Sequence, residues 1–90
     1  LPKGIVSIIN IFVESKELDN VVKAVIKLPE VTDVFEVTGE YDVVALVSTK
    51  DILEFRSLIK NRILKIPGIR STVTSVVLYA HKLNGKLVAE

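Results

Sequence analysis

The sequence has no cysteine, no tryptophan and no methionine, and it holds one histidine. Without cysteine there can be no disulfide, no thiolate metal site and no thiol nucleophile, a composition that fits a cytoplasmic protein. His81 lies near the tail without a cluster of acidic residues, so neither a metal site nor a catalytic dyad takes shape around it. Aromatic residues make up only 6% of the chain. Phe12 and Tyr41 alone cannot supply the stacking rows with which sheets of RNA-binding folds hold bases. The four glycines are scattered, and none belongs to a phosphate-cradling loop. Charge of one sign is equally missing: 12 basic and 11 acidic residues give a formal net charge of +1. That balance supplies no field for DNA or anionic lipid, so neither direct DNA binding nor membrane association is expected. Lys60, Arg62 and Lys65 make a basic end on the second predicted helix, which dipole compensation explains. No apolar run exceeds five residues, too short to span a bilayer, and the opening Leu1-Pro2-Lys3-Gly4 lacks a signal-type core. Methionine is missing at position 1 too, as after removal of an initiator or excision from a longer chain.

What the chain does have is aliphatic side chains, within a hydrophobic fraction of 49% in 90 residues. That length allows one domain with a modest core, so this much apolar surface points to an oligomer. Residues 5 to 13 are β-branched, with seven of nine apolar, and read as a strand. Ser15 is placed to cap a helix whose apolar face is Leu18, Val21, Val22, Val25 and Leu28, ended by Pro29. Val31 to Thr38 reads as a second strand, Thr38-Gly39-Glu40 as a turn and Tyr41 to Ser48 as a third strand. The pattern then repeats, with Thr49 as cap, Asp51 in the first turn, and Ile52, Phe55, Ile59 and Ile63 as a helical face. Pro67-Gly68 stops that helix, and Ile69 to Tyr79 is a fourth strand. The two helix exits match, Lys27-Leu28-Pro29-Glu30-Val31 against Lys65-Ile66-Pro67-Gly68-Ile69.

The order β-α-β-β-α-β predicts an α+β, ferredoxin-like fold, a four-stranded antiparallel sheet with both helices on one face. Its central strands are the first and third, here the two most apolar, while Thr32, Asp33, Glu36, Arg70, Thr72 and Thr74 mark the edges. The first strand carries apolar side chains on both parities: Ile5, Ile9, Ile11 and Val13 one way, Val6, Ile8 and Phe12 the other. An open apolar sheet face should therefore pair with a second copy, making a dimeric α/β barrel. We expect residues 4–79 as the core of a single domain and 80–90 as an extension, with Asn84-Gly85 turning a short hairpin. That ribbon has two readings, an arm swapped onto a neighbour or a frayed end.

One segment holds chemistry. In Val37-Thr38-Gly39-Glu40-Tyr41-Asp42, turn amides can receive a carboxylate and Asp42 an ammonium, while Thr72 and Thr74 offer hydroxyls. The alternative is an ordinary hairpin turn in which Gly39 serves the backbone and Asp42 satisfies local amides. The run from Val37 to Val44, together with Ile66 to Leu78, resembles the effector-binding (RAM) domain of the Lrp/AsnC regulators, over about residues 4 to 79. The resemblance implies dimerisation through the sheet, assembly of dimers into octameric rings, and a small free amino acid bound between dimers. It assigns the contacts to Gly39, Glu40, Tyr41, Asp42, Thr72 and Thr74, with no cofactor and no catalytic residue. No helix-turn-helix precedes the first strand, so the resemblance is to a stand-alone form acting through full-length Lrp/AsnC regulators. The Val-, Ile- and Lys-rich composition is similar to that of archaeal members. Rival readings are a dimeric α/β-barrel enzyme, a small oxygenase or isomerase served by Asn10 or His81, and a purely structural oligomerisation module. The ACT domain shares the topology and matches the motifs less well.

Overall fold

The computed structural model describes residues 4–88. Four strands, β1 (Ile5–Val13), β2 (Val31–Glu36), β3 (Val43–Thr49) and β4 (Ile69–Val76), form one sheet in the order β2-β3-β1-β4. Every neighbouring pair is antiparallel. Two helices, α1 (Leu18–Val25) and α2 (Ile52–Asn61), complete the expected βαββαβ order. The apolar strands β1 and β3 are central, as their composition predicts.

Alternation along β1 decides which side the helices cover. Ser7, Ile9, Ile11 and Val13 are buried, and so are Val43, Ala45, Val47 and Thr49 on β3. They pack against Val21 and Val25 of α1, Leu58 of α2 and Ile63. The opposite parity, Val6, Ile8 and Phe12 with Val44 and Leu46, is only partly buried. Phe35 and Val73 extend this second face over both edge strands, because Phe35 pairs with Val44 and Val73 with Asn10. Asn10 interrupts the stripe and donates from Nδ2 to the Val73 carbonyl at 3.2 Å.

Several local expectations are corrected. Ser15 opens a 3-10 turn, Ser15–Glu17, and caps nothing; α1 starts at Leu18 without a side-chain cap. That helix ends before Pro29: the amides of Lys27 and Leu28 reach back only three residues, to Ala24 and Val25, closing the last turn tightly. Thr49 is not the second helix's cap either. It pairs with Ile5 as the last residue of β3, so the helix begins later, and Asp51 Oδ1 accepts from the Glu54 amide at 2.8 Å. Glu54 Oε1 in turn accepts from the Lys50 amide at 3.1 Å, a reciprocal arrangement close to a capping box. Ile52 is 53% exposed in the first turn, and Leu58, absent from the expected stripe, is the fully buried contact of α2. Ile63 is buried from a separate 3-10 turn, Ile63–Lys65, after α2 has ended. The strands are also shorter than expected: β2 stops at Glu36, β3 starts at Val43 and β4 stops at Val76. Beyond Val76 the amide of Val77 still reaches the Val6 carbonyl at 2.8 Å, and there β1 has almost run out.

The hairpin at Asn84-Gly85 forms as expected. Strands β5 (Lys82–Leu83) and β6 (Lys86–Leu87) pair only with each other, and both turn residues have positive φ, 49° and 77°. These values suit the two-residue turn that the dipeptide favours.

Candidate functional site

The loop between β2 and β3 begins and ends on hydrogen bonds. The Val37 amide donates to the Asp42 carbonyl at 3.1 Å, and the Asp42 amide donates to the Ile11 carbonyl at 3.1 Å. Between them, the amides of Thr38, Gly39, Glu40 and Tyr41 make no hydrogen bond among the described residues. Gly39 has φ +101°, a left-handed conformation that most side chains resist. A Cβ placed there would meet nothing within 4 Å, so the turn is open on that side. Four adjacent amides at an open tip are hydrogen-bond donors left available to a carboxylate.

Asp42 has structural work of its own. The β1–β3 ladder has its last pair at Ile11 and Val43, so the Val13 amide, on the same side of β1 as the Ile11 carbonyl, has no strand partner. Asp42 Oδ2 accepts from that Val13 amide at 2.8 Å. Its second oxygen makes no hydrogen bond among the described residues. The local-amide reading of Asp42 thus describes one carboxylate oxygen and leaves the other open to a ligand. Tyr41 turns onto the open sheet face and packs on Phe12, with ring centroids 4.9 Å apart at 59°. Sequence reasoning missed this pair. Phe12 read as one more apolar residue, and only the fold brings it to the turn.

Thr72 and Thr74 stand elsewhere. They pair with Ile11 and Ile9, which places both half-buried on the helix-covered face of β4. Thr72 shares a row with Ile11, Val43 and Glu36, so within one chain it lies two strand spacings from β3, about 10 Å. Gly39, Glu40, Tyr41 and Asp42 come together at one loop, and the two threonines do not join them within one chain. His81 is edge-on to Tyr79 at 4.8 Å just before β5, outside the four-stranded sheet that holds Asn10, its companion in the enzymatic reading. Among the described residues no group of three or more His, Cys, Asp or Glu could hold a metal ion.

A βαββαβ domain with an apolar sheet face that the helices leave open, and a turn with four unengaged amides, has the features of a ligand-binding module. Comparison with known proteins gives the family: residues 6–87 match the model of the Lrp/AsnC ligand binding domain, and the chain belongs to that family. An HTH-type transcriptional regulator, FL11 of Pyrococcus furiosus, is 33% identical over 79 residues, covering 88% of this chain and 52% of its own length. The chain spans about half the length of the curated regulators it matches. Homocitrate synthase of Sulfurisphaera tokodaii is 35% identical over 78 residues, which make up 17% of that enzyme. Among solved structures, TTHA0845 from Thermus thermophilus superposes with a TM-score of 0.83 at 32% identity, over 88% of this chain and 99% of its own. AsnC of E. coli gives 0.86 at 26%, over 89% of this chain and 54% of its own. The fold also matches the L-Met complex of the Neisseria meningitidis regulator NMB0573, at 0.85 and 23% identity, over 93% of this chain and 56% of that one. Relatives are thus mostly transcriptional regulators, and the chain carries their effector-binding domain. Among the described residues no helix is long and apolar enough to cross a membrane.

Proposed function

We propose that this domain is a non-enzymatic receptor for a small free amino acid, bound where two copies meet. The observation that carries the reading is the row of four unengaged amides from Thr38 to Tyr41, beside the unengaged oxygen of Asp42. The amides receive the α-carboxylate, Asp42 the ammonium, and Glu40 and Tyr41 border the space for a side chain. Thr72 and Thr74 belong to the site only if they come from another copy, since one chain keeps them apart. The NMB0573 complex with L-Met supports an amino acid as ligand. The match to a sixth of a homocitrate synthase supports the same module as a regulatory part of a larger protein. The open sheet face favours a face-to-face homodimer, and the family resemblance favours rings of up to eight copies in the cytoplasm. Ligand at a contact between copies stabilises the assembly that holds it, by its differential affinity. Mixed assembly with full-length Lrp/AsnC regulators would carry that signal to transcription.

A thermal-shift screen of the twenty amino acids tests this, because a ligand that binds only the folded state raises apparent stability. We expect a selective rise with one or a few amino acids. Asp42→Asn keeps an acceptor for the Val13 amide but loses the charge, so the unliganded chain should melt near wild type while affinity falls about tenfold or more. No shift with any amino acid at about 10 mM would overturn the reading.

A further inference from the structure

The C-terminal ribbon is separate from the four-stranded sheet and leaves its apolar side chains in water: Leu78 is 96% and Leu87 84% exposed. Residues 77–88 contain Lys82, Lys86 and His81 and no carboxylate. Residues 30–42 are their electrostatic complement, with Glu30, Asp33, Glu36, Glu40 and Asp42 and no basic residue. Glu30 is paired with Arg62, whereas Asp33, Glu36, Lys82 and Lys86 have no ion pair among the described residues. At the start of β2 lies a shallow cavity of about 200 Å³, lined by Ile26, Val31, Thr32, Asp33 and Val34. It is smaller than the usual range for small-molecule sites. Its apolar wall and single carboxylate suit an aliphatic side chain flanked by lysine.

The register places the two features on one line. Val76 pairs with Ser7, Ser7 with Val47 and Val47 with Val31, so the ribbon leaves β4 on the row where β2 begins. The two points lie at opposite edges of the sheet, three strand spacings or about 14 Å apart. A second copy related by a two-fold axis along the strands reverses the order of edges. It brings the outgoing end of β4 in one copy beside the incoming end of β2 in the other.

We propose that the ribbon is an exchanged arm. Its leucines enter the Ile26–Val34 cavity of the partner copy, and Lys82 and Lys86 pair with the partner's Asp33 and Glu36. The exchange rests on the face-to-face dimer and is independent of which ligand the turn takes. Each copy holds the other at both edges, so the arm selects this dimer geometry over a simple stack of sheets.

The absence of cysteine makes a direct test available, since any disulfide must come from introduced residues. The full-length Ile26→Cys/Leu83→Cys double variant is oxidised and run on non-reducing gels, while wild type is followed by sedimentation velocity. The arm predicts a covalent dimer as the main product. It also predicts that Lys82→Glu/Lys86→Glu weakens the dimer at least tenfold, and that adding Asp33→Lys/Glu36→Lys recovers most of the loss. A wild-type dimer with no cross-link and no response to charge reversal overturns the arm and leaves the sheet-face dimer standing. A monomeric wild type overturns both. An amino-acid shift in the thermal screen would survive the first failure, since the sheet-face dimer stands without the arm.

Discussion

Leu58 and Ile52 show what a single residue contributes when its direction, not its hydropathy, is decisive. Both are aliphatic and on α2, yet Leu58 is buried in the core cluster and Ile52 faces water. Leu58→Ala should cost about 2–5 kcal/mol in urea unfolding, and Ile52→Ala should stay within about 0.5 kcal/mol. The sequence permits either stripe, because Phe55 and Ile59 belong to both. The choice is made by where the sheet ends. The cap shows the same dependence. Asp51→Ala should lose about 1 kcal/mol with the Glu54 amide bond. Thr49→Val should be neutral or stabilising, since the Thr49 hydroxyl is buried without a partner. If Thr49→Val were the costlier change, the observed position of the cap would be wrong. At the candidate site, Gly39 and Asp42 are legible in the sequence because the turn needs a left-handed residue and a polar neighbour. The Phe12–Tyr41 contact is not, since it joins residues 29 apart that only the β1–β3 pairing brings together.

Elements are legible where periodicity is long and obscure where one element hands over to the next. The nine residues of β1 and the apolar stripe of α1 stand as expected, because each pattern is set by the chain's own geometry. Strand ends are set by the neighbour: β3 continues to Thr49 because Ile5 is there to pair with it, and β4 stops at Val76, opposite Ser7 and two residues short of the start of β1. The repeated helix exit at Pro67-Gly68 also has a tertiary purpose that a stop signal does not reveal. A Cβ on Gly68, at φ +98°, would lie 2.4 Å from Glu17 Cβ and 3.0 Å from Val21 Cγ2. Gly68→Ala should therefore combine about 1–2 kcal/mol of left-handed strain with about 1–3 kcal/mol of overlap. Gly39→Ala meets open space and should show the strain alone. Equal melting temperatures for the two variants would show that α1 does not pack closely over the start of β4.

For the whole molecule, the governing feature is a sheet with apolar side chains on both faces and helices on one. The alternation of β1 carries that asymmetry in the sequence itself, and the fold assigns the sides: Ile9 and Ile11 inside, Ile8 and Phe12 on the open face. Leu46→Asp on that open face should abolish dimers while leaving the helix-side core intact, as judged by circular dichroism and sedimentation. Thr72 and Thr74 are not brought to the turn within one chain, because β1 lies between β4 and β3. The central claim is that an amino acid binds between copies, and coupling of binding to assembly tests it most directly. Sedimentation velocity across a range of protein concentrations should show the amino acid selected by thermal shift moving the assembly equilibrium at least tenfold. By reciprocity, its affinity should rise with protein concentration. Saturable binding of one amino acid per monomer, with an assembly equilibrium that does not move, would contradict the account.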